Sequence, residues 1–342
     1  MTSELEQAIR TFRRQYARQD AIAVGYMQSV HERMALDIRG EIERLAAALE
    51  GVDPRSVGEA RALLYRKGLL TERLDQIDRI ALGYAPLMAR AVDDASAAAL
   101  HVGARHGLGM LQSVVDVQFN MVPFDVLREQ AAALVRGAPL DRLMQSWSKE
   151  SAQSVSEQLM AGIAKGDNPR QIAMDMVKAL DGPLEEGPLA KSLHRANVIA
   201  RTETIRSYRS ASIETYKANP DVVDGWIWNS AADERTCPVC WAMHGEKFDS
   251  GEPFDTHPQC RCAPSPSVPG YDTDLPAGEE LFDNLPDMEQ LAILGPARFD
   301  LYKRGEMRLT DVVGRSHHPV WGGGRFERSI KDMERLKERR VS

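Results

Sequence analysis

The segment Asp233-Glu234-Arg235-Thr236-Cys237-Pro238-Val239-Cys240, followed after sixteen residues by His257-Pro258-Gln259-Cys260-Arg261-Cys262, decides how the rest of the chain is read. It holds all four cysteines of a 342-residue chain within a span of 26 residues. A disulfide framework spreads its cysteines through a short secreted domain, and this chain is long. A C-x2-C turn points two thiolates the same way, and an H-x2-C element closes the other half of a tetrahedron, the ligand pattern of structural zinc. Five donors compete for four positions. Cys237, Cys240, His257 and Cys260 form the preferred set, because x2 spacings ligate one ion more readily than C-x-C. Cys262 is the alternate ligand, in an all-cysteine set, and His244 is a distant sixth candidate. Four good ligands leave no open position for water, so the expected role is structural, worth on the order of 10 kcal/mol of local folding. The stretch 233–269 is loop-rich and short of apolar residues, as a segment stapled by an ion would be. A metal-free cluster held by packing and a redox pair at Cys237/Cys240 are the competing readings.

Upstream, Gly225-Trp226-Ile227-Trp228-Asn229 is short, aromatic and β-branched, as a strand should be. Trp226 and Trp228 share one face by period two, and packing against the knuckle is their expected use rather than stacking on a base. Before the strand, Leu189 to Ala218 reads as a helix closed by Asn219-Pro220. It carries Arg201, Glu203 and Arg206, for which intramolecular ion pairing is expected, with Glu203 and Arg235 clamping the knuckle onto the helix; a polar binding surface is the alternative.

The first fifty residues read as one long helix, with apolar side chains recurring from Leu5, Ile9, Phe12 and Tyr16 to Ile42, Leu45 and Leu49. Ser3 and Glu6 have capping-box spacing, and Gly51 and Pro54 supply the stop. At about 1.5 Å per residue such a helix is roughly 70 Å long, so it is expected to pack against a partner helix or another subunit. Further helical pattern covers Ser56 to Gln112, with expected breaks near Gly68, Gly83 to Pro86, and Gly103 to Gly109. Val114 to Phe124 is more β-like, a linker or short strand. Phe124 to Val135, Leu140 to Ile163 and Pro169 to Leu180 are amphipathic helices, the last capped by Asp167-Asn168-Pro169. Gly182 to Pro188 is a linker. Beyond Pro269 helix-like stretches return, and His317-His318 with Trp321 and Gly322 to Gly324 read as a flexible joint. The expected fold class is α+β, mostly α: long N-terminal helices, a small α+β module with a zinc-knuckle-like Cys/His site, and a helical C-terminal tail. The expected division is 1–182, 189–269 and 270–342.

Forty-three Lys+Arg against fifty Asp+Glu give a net charge of −7, which argues against a mainly electrostatic nucleic-acid binder. The knuckle region from Arg201 to Cys262 is itself acidic, with seven basic against ten acidic side chains. The tail from Arg325 to Ser342 is basic, seven against four. The opening Met1-Thr2-Ser3-Glu4-Leu5-Glu6 has no basic n-region, and charge-free stretches are far short of the roughly 20 residues that cross a bilayer, so neither a secretory signal nor a membrane partner is expected. A soluble protein in a reducing compartment follows. No Gly-rich phosphate loop, paired-carboxylate site or nucleophile triad stands out.

Taken together, Ala200-Arg201-Thr202-Glu203-Thr204, Tyr208, Tyr216, Trp228, the Asp233 to Cys240 knuckle, Gly245, Phe248 and the His257 to Cys262 end closely resemble the phage Mu F-like head morphogenesis family of minor capsid proteins. Strong resemblance covers about Leu193 to Pro266, with weaker likeness at Gly162 to Gly166 and Leu294 to Arg298. One departure is local: relatives often carry prolines directly before the His, whereas here Pro253 is followed by Phe254-Asp255-Thr256. The resemblance implies a non-enzymatic virion component of a tailed phage or prophage. It would associate with the portal protein at the head vertex and with major capsid or scaffolding protein, and assist head assembly and DNA packaging or ejection. Such a protein is made in the host cytoplasm and kept in the virion. The basic tail would then dock on a portal groove or lie along packaged DNA. A zinc-stabilised nucleic-acid binder or metal-dependent nuclease is the alternative from another class.

Overall fold

The computed structural model describes residues 3–50, 59–133, 140–164, 169–318 and 321–341. Helix α1 runs from Ser3–Glu50 without a break, as the three-and-four spacing of its apolar positions requires. The expected stop at Gly51 and Pro54, the cap at Asp167-Asn168 and the Gly166 turn lie outside the described residues, as does the side chain of Ser3.

Helix α2, Glu59–Gln112, is equally continuous and carries Pro86 inside it. This corrects the expected breaks. Proline removes one N–H and frees the carbonyl four residues earlier, but Pro86, Leu82 and Gly83 all stand on the exposed face, where the vacated carbonyl is open to solvent. The glycines further along are contact points rather than stops. A Cβ on Gly103 would lie 2.3 Å from the carbonyl oxygen of Tyr208, and one on Gly107 3.1 Å from Thr215, so two helices approach at backbone distance there.

Three helices follow, α3 (Phe124–Ala133), α4 (Leu140–Ala164) and α5 (Pro169–Asp181), then α6 (Ala190–Lys217). Residues 114–123 form no strand; they are irregular, tied down where Asn120 and Asn219 exchange hydrogen bonds of 2.7 and 3.1 Å. The strand Gly225–Asn229 (β1) is central in a three-stranded antiparallel sheet, between Lys247–Asp249 (β2) and Ala263–Ser267 (β3). Trp226 pairs with Phe248 on one side and Pro266 on the other, and all five residues of β1 are buried. The short helix α7, Pro238–Met243, connects β1 to β2.

After β3 come α8 (Gly278–Asp283), α9 (Asp287–Leu294), α10 (Pro296–Lys303) and a 3-10 turn at Leu309–Val312. The expected flexible joint is instead an antiparallel hairpin, β4 (Val313–His318) and β5 (Gly322–Glu327), followed by the terminal helix α11, Ile330–Val341. The glycines of β5 serve close packing: a Cβ on Gly324 would sit 2.7 Å from the carbonyl oxygen of Thr256.

Two compact units are present, each assembled from separated stretches: Met1–Asp20, Ser96–Ala138 and Thr202–Ser342 in one, Ala21–Ala95 and Pro139–Arg201 in the other. The division 1–182, 189–269 and 270–342 is therefore a division of chain order, with the Gly182 to Pro188 turn inside the second unit. In the first unit the core joins Trp226, Trp228, Trp241 and Phe282 to Met307, Leu309 and Met333, and a second cluster packs Leu5, Ile9, Phe12 and Tyr16 against Ile205 and Tyr208. Among the described residues, no helix is long and apolar enough to cross a membrane.

The second unit is helical and contains His31, fully buried edge-on to Trp147 at 5.7 Å. Its Nε2 lies 3.2 Å from the carbonyl oxygen of Leu189, and its Nδ1 has no partner among the described residues. Burial pulls the imidazole down to about 4. Between that value and the usual 6.5 the unfolded chain binds a proton that the folded unit refuses, so stability falls as pH falls through this window and is unaffected above it. We expect a loss of about 2 kcal/mol between pH 7.5 and pH 5 from this group. Hydrogen exchange in α4 should report the loss, and His31→Leu should remove the slope; equal slopes in both proteins would refute the assignment.

Candidate metal centre

The first half of the site is built by α7. Cys237 precedes the helix, Pro238 occupies its first position with the fixed φ that suits it, and the amide of Trp241 donates to the carbonyl of Cys237 at 3.0 Å. One turn thus presents the Cys237 and Cys240 sulfurs together. The second half is the turn from His257 to Cys262, in which Gln259 adopts a left-handed φ of 59°. That is a costly conformation for a residue with a Cβ, and it is held by the Gln259 N–H donating to Thr202 Oγ1 on α6 at 3.2 Å.

The halves meet. His257 Nε2 lies 3.1 Å from Cys237 Sγ and 3.4 Å from Cys240 Sγ, and the Cys240 and Cys260 sulfurs are 3.5 Å apart. The donors form two overlapping triads, Cys237, Cys240 and His257, and Cys240, Cys260 and Cys262, each with its ligand atoms within 4.8 Å of one another. Cys240 belongs to both. All four cysteines are free thiols. A tetrahedral zinc with bonds near 2.3 Å to sulfur and 2.0–2.1 Å to nitrogen needs ligand-to-ligand edges of roughly 3.6–3.8 Å. The three contacts given are slightly shorter than that, so a small outward movement of each side chain would make room for an ion. The donor set, soft sulfur with one imidazole, is of the kind that selects zinc.

Protonation follows the same geometry. The hydrogen bond from Cys240 is the main reason that the Cys237 thiol is held down at about 5, against the effect of burial. Burial pushes Cys260 up, but hydrogen bonds from Cys240 and Cys262 outweigh it and hold that thiol well below its ordinary range. Cys240, donating to its neighbours, and Cys262, the more deeply desolvated, are pushed up. Burial pulls the His257 imidazole down, yet its contacts with Cys237 and Cys260 prevail and raise it to about 11.

Three further side chains hold the frame. Asp233 accepts from the Thr236 hydroxyl at 3.0 Å and the Arg235 amide at 3.1 Å, closing the turn before Cys237, and takes both guanidinium arms of Arg261 at 2.6 and 2.7 Å. The Arg261 hydrogen bonds are the first reason that the Asp233 carboxyl falls to about 2. This pair joins the two half-knuckles directly. From α6, buried Arg209 donates to the carbonyl oxygens of Cys262 at 2.7 Å and Cys260 at 2.6 Å, with its guanidinium 4.6 Å from the centre of the Phe254 ring.

The expected Glu203 to Arg235 clamp is not the one found. Glu203 pairs with Arg206, one helical turn along α6 at 2.9 Å, while Arg235 is exposed and lies 3.9 Å from Asp233. The reason is reach: a carboxylate on a helix finds its i+3 neighbour first, and the clamp falls to Asp233 and Arg261. Arg201 stands half-buried on α6, one position before Thr202. His244 is no ligand. It is buried, its Nδ1 accepts from the Ser230 amide at 3.0 Å, and burial, then Arg13, pulls it down to about 4. Trp226 and Trp228 pack as expected, against Phe248 at 4.2 Å and Phe254 at 4.1 Å respectively.

Residues 153–265 match the family model described as Phage Mu protein F like protein. Over this stretch the chain is similar to the phage Mu F-like family. The match covers about a third of it and takes in α6, β1, β2 and every candidate ligand. No curated protein and no solved structure matches. Within the phage Mu F-like module, sequence reading identified the sulfur and imidazole groups but missed Thr202, Arg209 and the Asp233 to Arg261 pair. Asp233 and Thr236 had a readable signal, the side-chain-capped turn of a D-x-x-T stretch. Thr202 and Arg209 share a helix face seven residues apart, but nothing local tells that this face meets a ligand turn.

Removing Arg209 strands two buried carbonyls. We expect Arg209→Leu to destabilise the module by about 2–4 kcal/mol, and Arg209→Lys to recover less than half, because an ammonium cannot span both acceptors in the plane of a fork. Thermal melts of the three proteins check this; full recovery by lysine would show that charge alone matters.

Proposed function

We propose that this protein is a minor head protein of a tailed phage or prophage, joined to the portal vertex and needed for head morphogenesis. The observation that carries the reading is the family match over 153–265, the stretch in which five metal-binding side chains converge. In this reading Cys237, Cys240, His257 and Cys260 hold one structural zinc and Cys262 is the spare donor. The ion supplies cross-linking: it ties α7 to the turn after β2. The module works as a mounting piece rather than a reactor. Its polar side chains support that view, since His244, Arg209 and Asp233 are all committed to holding backbone. The partners are the portal protein and capsid or scaffolding protein. The basic side chains of α11, which docks its apolar Ile330 and Met333 on the module core, contact packaged DNA.

Co-expression with a portal protein from the same phage or prophage, followed by pull-down and elemental analysis, tests both halves. The expected result is a stable complex with one zinc per chain. Cys240→Ala, which removes the sulfur common to both triads, should lose the ion and loosen residues 225–265 in hydrogen exchange while the helices of the second unit stay protected. Cys262→Ala should keep it. Loss of zinc from Cys262→Ala together with retention in His257→Ala would reverse the ligand choice, and absence of both zinc and portal would overturn the reading.

A further inference from the structure

Beside the candidate metal centre, a cavity of about 110 Å³ opens between α6 and the loop that leads into His257, with Trp321 and Gly323 of the hairpin at its rim. Space of that size admits several waters or one side chain. Its helical wall is a continuous face of α6 from Thr202 to Lys217, and its other wall is Gly251 to His257. Two hydroxyls in this lining, Ser210 Oγ and Thr256 Oγ1, are buried and have no hydrogen-bond partner among the described residues. Ser210 is 7% exposed. The contrast along the same helix is informative. Ser212 and Thr215 return their hydroxyls to carbonyls four residues earlier, at 3.2 and 2.9 Å, as helical Ser and Thr usually do, and Ser210 does not. Leaving a buried polar group unsatisfied is costly, which calls for a partner from outside.

The chemistry of that partner follows from what is already spent. Arg206 is paired with Glu203 at 2.9 Å, Lys217 with Glu214 at 2.6 Å, and Arg209 with two carbonyls. No cation among these is left uncommitted for a phosphate or carboxylate, and Glu214 and Asp255 in the lining repel one. A hydroxyl both donates and accepts, which suits an amide. Ile213, Pro253, Phe254 and Trp321 supply apolar walls on either side. We propose that this cavity receives an extended segment of a partner polypeptide, its backbone amide held between Ser210 and Thr256 and one apolar side chain against Phe254 and Ile213. The assembly reading above supplies only the source of the segment, a partner chain; the amide site stands on the cavity.

The test uses the full chain and the neutral probe N-acetyl-L-leucinamide, with N-acetyl-L-leucine and inorganic phosphate as charged comparators. Trp321 at the rim gives the readout, through its indole N–H signal. A probe of this size should bind in the millimolar range. The amide should shift Trp321, the two anions should not, and Ser210→Ala and Thr256→Val should each weaken binding about five-fold. Without probe, Ser210→Ala should melt no lower than the parent, because the hydroxyl it removes has no partner among the described residues. No shift up to about 100 mM, affinity in both variants unchanged from the parent, or tighter binding of phosphate would overturn the proposal. The two readings fail separately: portal capture without a Trp321 shift removes the site, and a Trp321 shift without portal capture removes the portal as the source.

Discussion

A guanidinium taken out of water must find acceptors, and in this molecule the acceptors that Arg209 finds are the carbonyls of two candidate metal ligands. That constraint orders the site. The backbone of Cys260 and Cys262 cannot bond within a helix or a full ladder, because the chain there turns to bring sulfurs inward. The arginine satisfies those groups from a rigid element, and Thr202, seven residues earlier on the same face of α6, satisfies the strained Gln259 amide. A loop with few apolar residues thus takes its shape from a helix. The ion, if bound, fixes the sulfurs; the helix fixes the backbone that carries them.

The aromatic stack is the second support. Phe248, Trp226, Phe254 and Trp228 lie ring against ring, at 4.2, 4.9 and 4.1 Å between successive centres. Arg209 covers Phe254, and Arg325 from β5 lies 4.8 Å from Phe248 and 5.3 Å from Trp228 while donating to the Asp255 carbonyl at 2.9 Å. Cation–π contacts of this kind strengthen when desolvated. Burial, then Arg315, lowers the Arg325 guanidinium from its usual range, so the aromatic faces and one carbonyl are what keep this charge tolerable inside. The C-terminal hairpin is thereby joined to the same loop, from the side opposite α6 in sequence.

How much of this was legible depends on whether the deciding contact is local. The unbroken α1 is written in its spacing, β1 in its alternating tryptophans, and the donors in C-x2-C and H-x2-C, since each rests on neighbours within a turn or two. The family resemblance added order to those pieces and agreed with the later match. The misreadings have one cause. Pro86 and the glycines of α2 look like stops unless one knows which face is wet and which face meets Tyr208. The glycines of β5 look like a joint unless one knows that Thr256 lies under Gly324. The Glu203 to Arg235 pair looked plausible because both belong to the same motif, but Arg206 is nearer along the helix.

Those same distant contacts explain why the module can be acidic and still hold buried and half-buried arginines. Arg209, Arg261 and Arg325 are each answered by fixed acceptors, carbonyl oxygens or the Asp233 carboxylate, before any outside anion arrives. Their charge is used inside the fold. A surface meant to track phosphates would leave such groups in solvent, with salt-dependent affinity as the result. Here the arginines are hinges between segments that share no regular structure, which is why a short, loop-rich stretch can hold a fixed shape.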